Sequence, residues 1–230
     1  MTAKAGAPTG QTLKWDSIEW DYAEKQVRRL QVRIAKAAKE EKFGRVKSLQ
    51  WILSHSFYAK LLAVKRVTEN KGGKTPGTDG VTWRTGKQKM DATKAMKRSG
   101  YRPKPLRRIY IPKKNGSKRP LGIPSMLCRA IQALYLLGLE PVMEVTADKN
   151  AYGFRPKRSC ADAIEQCFKI FCRRNSPEWV LEADIKSCFD KISHDWLLKN
   201  IPMARAMLKK WLSSGFVDNG QIFPTLEGTP

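Results

Sequence analysis

The sequence predicts an α+β fold, and three observations carry that prediction. Apolar residues recur at helical spacing through residues 15–68. Residues 106–124 alternate in the manner of a strand, turn at an Asn-Gly pair and return. Residues 180–185 form a short, mostly apolar and β-branched run that reads as a buried strand. The chain has 230 residues, enough for one large domain or two small ones with a real core.

In chain order, residues 1–11 are rich in Gly, Ala, Thr and Pro and lack the apolar centre of a secretory leader. They read, with the residues up to 14, as a frayed tail. In residues 15–41, Ile18, Tyr22, Val27, Leu30, Ile34 and Ala37 form one helical stripe, with Asp16 or Ser17 available as a cap. Gly44 interrupts it. A second helix is expected over residues 45–68, with Val46, Leu49, Leu53, Phe57, Leu61 and Val64 on its apolar face. The two make an antiparallel helical hairpin. Residues 70–80 are a loop of turn residues. Its Lys71 and Lys74 suit phosphate contact, although a plain linker has the same composition.

The hairpin follows, with Leu106 to Pro112 outward, the Asn115-Gly116 tip, and Arg119 to Pro124 back. Ser99 and Ser125 are candidate caps for the flanking helices. Residues 129–145 read as a buried helix broken at Pro141. A helix over residues 160–173 precedes the central strand. Further helices follow it, and a second short hairpin turns at Asn219-Gly220. No run of 18 apolar residues occurs, so no membrane partner is expected.

Charge narrows the function. Lys and Arg number 44 against 21 acids, a net +23. Such an excess strains an isolated compact chain and favours a polyanionic partner, with nucleic acid ahead of an anionic membrane surface. Residues 92–139 hold twelve Lys/Arg and no acid. The five cysteines are odd in number, contain no C-x-x-C pair and fit no zinc spacing. They imply free thiols in a reducing cytoplasm.

The sharpest chemical candidate is Asp184. It ends the expected strand at residues 180–185, where a carboxylate with the backbone carbonyl of Ile185 suits a hard cation such as Mg²⁺. Alone, that placement equally fits a turn former or helix cap. The string 183–194, A-D-I-K-S-C-F-D-K-I-S-H, resembles the first catalytic aspartate motif of reverse transcriptases, most closely the group II intron-encoded class that combines reverse transcriptase and maturase functions. Other motifs follow in order. Residues 56–68 resemble the N-terminal region of that class, Gly77-Thr78-Asp79-Gly80 its G-x-D-G turn, I-P-K-K-N-G-S-K-R-P-L-G-I-P (111–124) its fingers hairpin, and N-A-Y-G-F-R-P (150–156) its second motif.

The resemblance implies a right-hand polymerase with fingers and a partial palm after an N-terminal helical hairpin. The expected divisions are 15–83 for an RNA-binding extension, 84–175 for fingers and 176–230 for partial palm. It implies Mg²⁺ held by Asp184 and Ile185, with Asp184 catalytic. Lys113, Arg119 and Phe189 would contact the incoming nucleotide, Phe189 as a steric gate, though an ordinary core aromatic fits its position too. Lys60, Lys65, Arg66, Lys71, Lys74, Arg107, Arg108, Tyr152, Arg155, Lys157 and Arg158 would contact RNA or template-primer, with the aromatics of 150–158 alternatively packing in the core. The implied partners are intron RNA, an RNA template with a DNA primer, and dNTP.

The departure lies after Gly228-Thr229-Pro230. There the family continues with Q-G-G and later a Y-A-D-D-type turn bearing two more metal-binding aspartates. This chain is therefore expected not to polymerise unless a complementing C-terminal polypeptide supplies them. A non-catalytic RNA-binding maturase remnant is the alternative. A basic nucleoid-like protein would leave the ordered motifs unexplained.

Overall fold

The computed structural model describes residues 14–114 and 116–229. Most of the expected tail and Asn115 at the hairpin tip lie outside the described residues. Two expected helical stripes become three helices: α1 Trp20–Lys39, α2 Phe43–His55 and α3 Phe57–Glu69. Helix α1 starts later than expected, because Trp15–Ser17 forms a separate 3-10 turn and neither Asp16 nor Ser17 caps α1. Its acidic first turn and its lysine-bearing last turn oppose the helix dipole. The connector falls at 40–42 rather than at Gly44, since Glu41 takes the left-handed conformation (φ 55°) that reverses the chain.

The expected helix over 45–68 is split at Ser56. That residue is extended (φ −64°, ψ 129°), and its hydroxyl accepts from the Ala59 amide at 3.5 Å. One serine thus ends α2 and caps α3. The loop after α3 holds a 3-10 turn, Lys71–Lys74. Helix α4, Gly86–Ala95, opens with a reciprocal cap between Thr85 and Gln88. Ser99 caps no helix, whereas the Ser125 hydroxyl accepts from Cys128 N at 3.3 Å and starts α5, Met126–Thr146.

Helix α5 runs unbroken through Pro141, contrary to the expected interruption. Proline has no N–H for the carbonyl four residues back, here that of Leu137. Gln31 of α1 supplies the missing donor, its Nε2 reaching the Leu137 carbonyl at 3.0 Å. Gln50 of α2 donates to the next carbonyl, Gly138, at 3.1 Å and to Pro202 at 2.9 Å. Packing on α1, α2 and α3 then holds α5 in place. Among the described residues α5 alone is long and apolar enough to cross a membrane, yet Ala130, Ile131, Leu134 and Val142 line the protein's core.

That core is continuous from Trp15 to Val142 and also takes in Met207. Ile34, Leu53, Leu61 and Val64 are fully enclosed. The strands β1 Leu106–Pro112 and β2 Lys118–Ile123 pair antiparallel, with Ile111 opposite Arg119. The remaining elements are helices α6 Cys160–Phe171, α7 Cys188–Lys191, α8 His194–Asn200 and α9 Arg205–Leu212, then strands β3 Phe216–Asp218 and β4 Gln221–Phe223. The sheet order is β2-β1-β3-β4, with β3 parallel to β1. Asn219 and Gly220 both have positive φ (47° and 81°), the requirement of a two-residue turn matched to strand twist.

The strand expected at residues 180–185 is absent; the stretch has no regular structure. A strand needs a neighbour for its N–H and C=O groups, and none of the described residues lies alongside as a ladder. Its apolar side chains stand in solvent instead: Leu181 is 91% exposed, Val180 72% and Ile185 73%.

Candidate nucleic-acid interface

The β1–β2 hairpin is the most strongly cationic element. Cross-strand partners share a face. Arg107 and Arg119 therefore stand on one side, Arg108 and Lys118 on the other. Lys113 begins the turn, where its amide donates to Ser117 O at 2.8 Å. Lys113, Lys114, Lys118 and Arg119 are all exposed, and among the described residues none has an acidic partner. The pairing brings Arg119 to the turn end of the hairpin that carries Lys113. Arg108 is engaged from below, its guanidinium 3.8 Å from the centre of the Phe216 ring. The hairpin thus rests on β3 while its charged end projects.

The N-terminal cations divide in two. Lys71 and Lys74 point outward from a loop that is itself anchored: Arg129 donates to the carbonyls of Gly72 (2.8 Å) and Thr75. Gly77 touches the start of α5 so closely that a Cβ would lie 2.6 Å from Ser125 Cα. Lys65 lies over the Trp20 ring at 4.5 Å, and Arg66 pairs with Glu140 at 3.2 Å. Lys60 is half-buried. Burial first, and then the neighbouring Lys97 charge, lower its pKa.

The 148–158 loop differs from its expected role. Arg155 turns inward. It bonds both Glu144 carboxylate oxygens (3.0 and 2.7 Å) and the carbonyls of Asp148 and Ala151. Arg158 adds a 3.1 Å bond to the same carboxylate and passes 5.6 Å from the Tyr152 ring. These bonds, Arg155 first, hold the Glu144 carboxyl below its ordinary pKa. A guanidinium occupied in this way fastens the loop to the end of α5; it is not presented to a phosphate. Lys157 and Phe154 remain exposed on left-handed backbone (φ 58° each). The acid that anchors the motif, Glu144, has no mark in the local string. Its only signal is that it and Glu140 are the first acids after the long basic run.

Asp184 is exposed, and among the described residues no hydrogen bond or ion pair engages it. Phe189, 60% exposed, lies on the single-turn helix α7, which starts from Ser187 in the left-handed region (φ 54°). The chain returns to clasp that turn. Gly228 N donates to Ile192 O at 3.0 Å, Thr229 N to Phe189 O at 2.7 Å, and His194 Nε2 donates to Gly228 O at 2.6 Å. A carbonyl only accepts, so this bond fixes the proton on Nε2. Gly228 is buried with φ 76°, and a Cβ there would meet Asp190 O at 2.5 Å. The Gly-Thr pair thus has a structural use the motif alone does not reveal.

Mg²⁺ requires about six oxygen ligands. The described residues contain no group of three or more His, Cys, Asp or Glu able to surround an ion. The two Asp184 carboxylate oxygens and the Ile185 carbonyl offer three oxygens at most, fewer than a two-metal centre needs, so further ligands would have to join them. Among the described residues, Asp184, Lys113, Arg119 and Phe189 line none of the best-formed clefts, which range from about 250 to 1020 Å³.

Comparisons with known proteins agree along the chain. Residues 15–96 match the N-terminal domain of reverse transcriptase, and residues 111–230 match reverse transcriptase (RNA-dependent DNA polymerase). The chain is 37% identical to Protein YkfC of Escherichia coli over 184 residues, covering 74% of this chain and 48% of the relative. It is 35% identical to the group II intron-encoded protein LtrA of Lactococcus lactis, covering 74% and 29%. A putative COX1/OXI3 intron 1 protein of Saccharomyces cerevisiae is 32% identical, covering 69% and 18%. The chain therefore spans less than half the length of these relatives. With one match filling residues 15–96 and the other residues 111–230, the chain belongs to the reverse transcriptase family.

Proposed function

We propose that this chain supplies the N-terminal extension (15–83), fingers (84–175) and part of the palm (176–230) of a group II intron reverse transcriptase/maturase. In this reading it binds intron RNA and an RNA template with its DNA primer, in the cytoplasm. The observation that carries the proposal is the hairpin: four exposed cations, without acidic partners among the described residues, on a strand pair resting on β3. Lys offers a point charge and Arg a bidentate fork, and both suit the phosphates of a polynucleotide or of an incoming dNTP. Phe189, on the turn clasped by Gly228 and Thr229, would then pack under the nucleotide sugar.

Asp184 and the Ile185 carbonyl would be two of the Mg²⁺ ligands, the remaining ligands coming from groups outside the described residues. When bound, Mg²⁺ would activate the primer 3′ oxygen and stabilise the leaving pyrophosphate. The residues here would position the strands and the triphosphate. The 230-residue chain alone should therefore bind structured RNA and give no template-directed product with Mg²⁺ and dNTPs. Binding should weaken with salt, log K falling by about 0.7 to 0.9 per phosphate contact for each unit of log salt. Flat affinity from low to high salt would overturn the RNA reading. Extended primer from the purified chain would overturn the incomplete metal site.

The solitary carboxylate favours a second reading, an RNA-binding remnant without chemistry. Adding a polypeptide that carries a Y-A-D-D turn separates the two, since only the first reading then yields product.

A further inference from the structure

Away from the hairpin, two clefts of about 370 and 250 Å³ adjoin on the far side of α2 and share Ser54, Arg98, Leu134 and Tyr135. Their combined volume is in the range of small-ligand sites. Lys47, Trp51 and His55 stand at successive four-residue steps on α2, hence on one face. Trp51 and His55 stack with ring centres 4.2 Å apart and planes inclined by 29°. His55 Nδ1 donates to the Trp51 carbonyl at 2.8 Å, which holds the imidazole against the indole. Trp51 is nevertheless 55% exposed and lines the first cleft, so part of the indole is available there.

Cations ring this pair. Lys47, Arg98 and Arg205 line the first cleft, Lys60 and Lys97 the second, and no acid lines either. Among the described residues none of the five forms an ion pair. Burial, and after it the Lys97 charge, lower the pKa of Lys60. Simple solvation accounts for a lone surface lysine. It does not account for a concave wall that joins an open indole to unpaired arginines and excludes carboxylates. A flat π-surface beside separated cations matches a nucleobase with its flanking phosphates.

We propose that this cleft binds one unpaired nucleotide of a single-stranded RNA segment, the base stacking on Trp51 and the phosphates meeting Arg98 and Arg205. The inference rests on the nucleic-acid reading above and adds a separate subsite to it. Nothing in the cleft reads a base edge, so binding should tolerate any base and reject a continuous duplex, whose bases are already stacked.

The test is anisotropy of a fluorescent twelve-nucleotide oligo(U) with the 230-residue chain. Trp51→Ala should weaken binding about tenfold, and Trp51→Phe should restore it to within about threefold. The double variant Arg98→Ala/Arg205→Ala should flatten the slope of log K against log salt by about 1.4, at about 0.7 per lost contact. Unlabelled blunt duplex RNA should compete poorly. Binding by Trp51→Ala within twofold of the parent, or duplex competing as well as single strand, would overturn the subsite while leaving the RNA reading intact. Failure of the parent chain to bind RNA would overturn both. Should a variant melt early, ultraviolet cross-linking of 4-thiouridine RNA to the parent chain decides: cross-links on α2 support the subsite, and cross-links only elsewhere sink it.

Discussion

The region from Trp15 to Thr146 and the stretch from Ala147 to Asn200 come from one chain but follow opposite rules of burial. In the first, apolar side chains enclose one another, and even the carbonyl opposite Pro141 finds a donor. In the second, no residue of α6, α7 or α8 is buried. Ile164 and Phe168 are each 69% exposed and Trp179 91%. Yet α6 is as well capped as α4, with the same reciprocal box, here between Ser159 and Asp162. Local rules therefore build a helix in both regions, but tertiary enclosure accompanies it only in the first. Capping and periodicity thus set where a helix starts, while the partners available to its apolar face set whether it counts toward stability.

The contrast can be broken first at its strong end. Leu61→Ala, in a fully buried site, should cost about 2–5 kcal/mol, seen as a lower urea midpoint. The clasp within the weak region comes next. Gly228→Ala combines a positive φ with a 2.5 Å approach to Asp190 O and should cost about 1–3 kcal/mol. The reading is faster amide exchange confined to residues 188–194, and unchanged exchange there would show that the clasp contributes nothing.

A smaller effect sharpens the border between the regions. The folded-state pKa of Glu144 is lowered by Arg155 and Arg158. Its contribution is therefore present above the unfolded carboxylate value of about 4.3 and is lost as pH falls through the lower folded value. Proteolytic nicking of the 148–158 loop should rise in acid below that value, and Glu144→Gln should remove most of the pH dependence. The least effect is expected from Phe168→Ser. With so exposed a ring, it should move the midpoint by less than about 0.5 kcal/mol. A large loss would mean that α6 is enclosed in solution.

Legibility in the sequence tracked the same border. The apolar stripes, the hairpin and the Asn219-Gly220 turn were readable, because each depends on neighbours close in sequence. The break at Ser56 was hidden, since one serine can cap a helix without disturbing the stripe on either side. Pro141 misled for the opposite reason: its effect was cancelled by Gln31, which lies more than a hundred residues away. The strand at 180–185 had the right composition but has no ladder partner among the described residues. At the candidate site, residue types were legible and occupancy was not. Arg155 looked free for phosphate because nothing nearby in sequence announces Glu144 as its holder. Nothing in the local sequence of α2 marks Trp51 as a cleft residue, because Arg98, in the segment after α4, and Arg205, at the start of α9, reach it only through the fold.

The two amides that meet Leu137 and Gly138 index the long helix. Side chains from α1 and α2 read adjacent carbonyls of the same turn, so α5 has one azimuth and one axial setting in which both amides are satisfied. Replacing Pro141 with alanine would improve the intrinsic helix and return Leu137 to its own ladder. The Leu137 carbonyl, with two lone pairs, would then serve both the restored backbone amide and Gln31, and the setting would no longer rest on Gln31 alone. A residue that weakens one helix in isolation thereby aligns three.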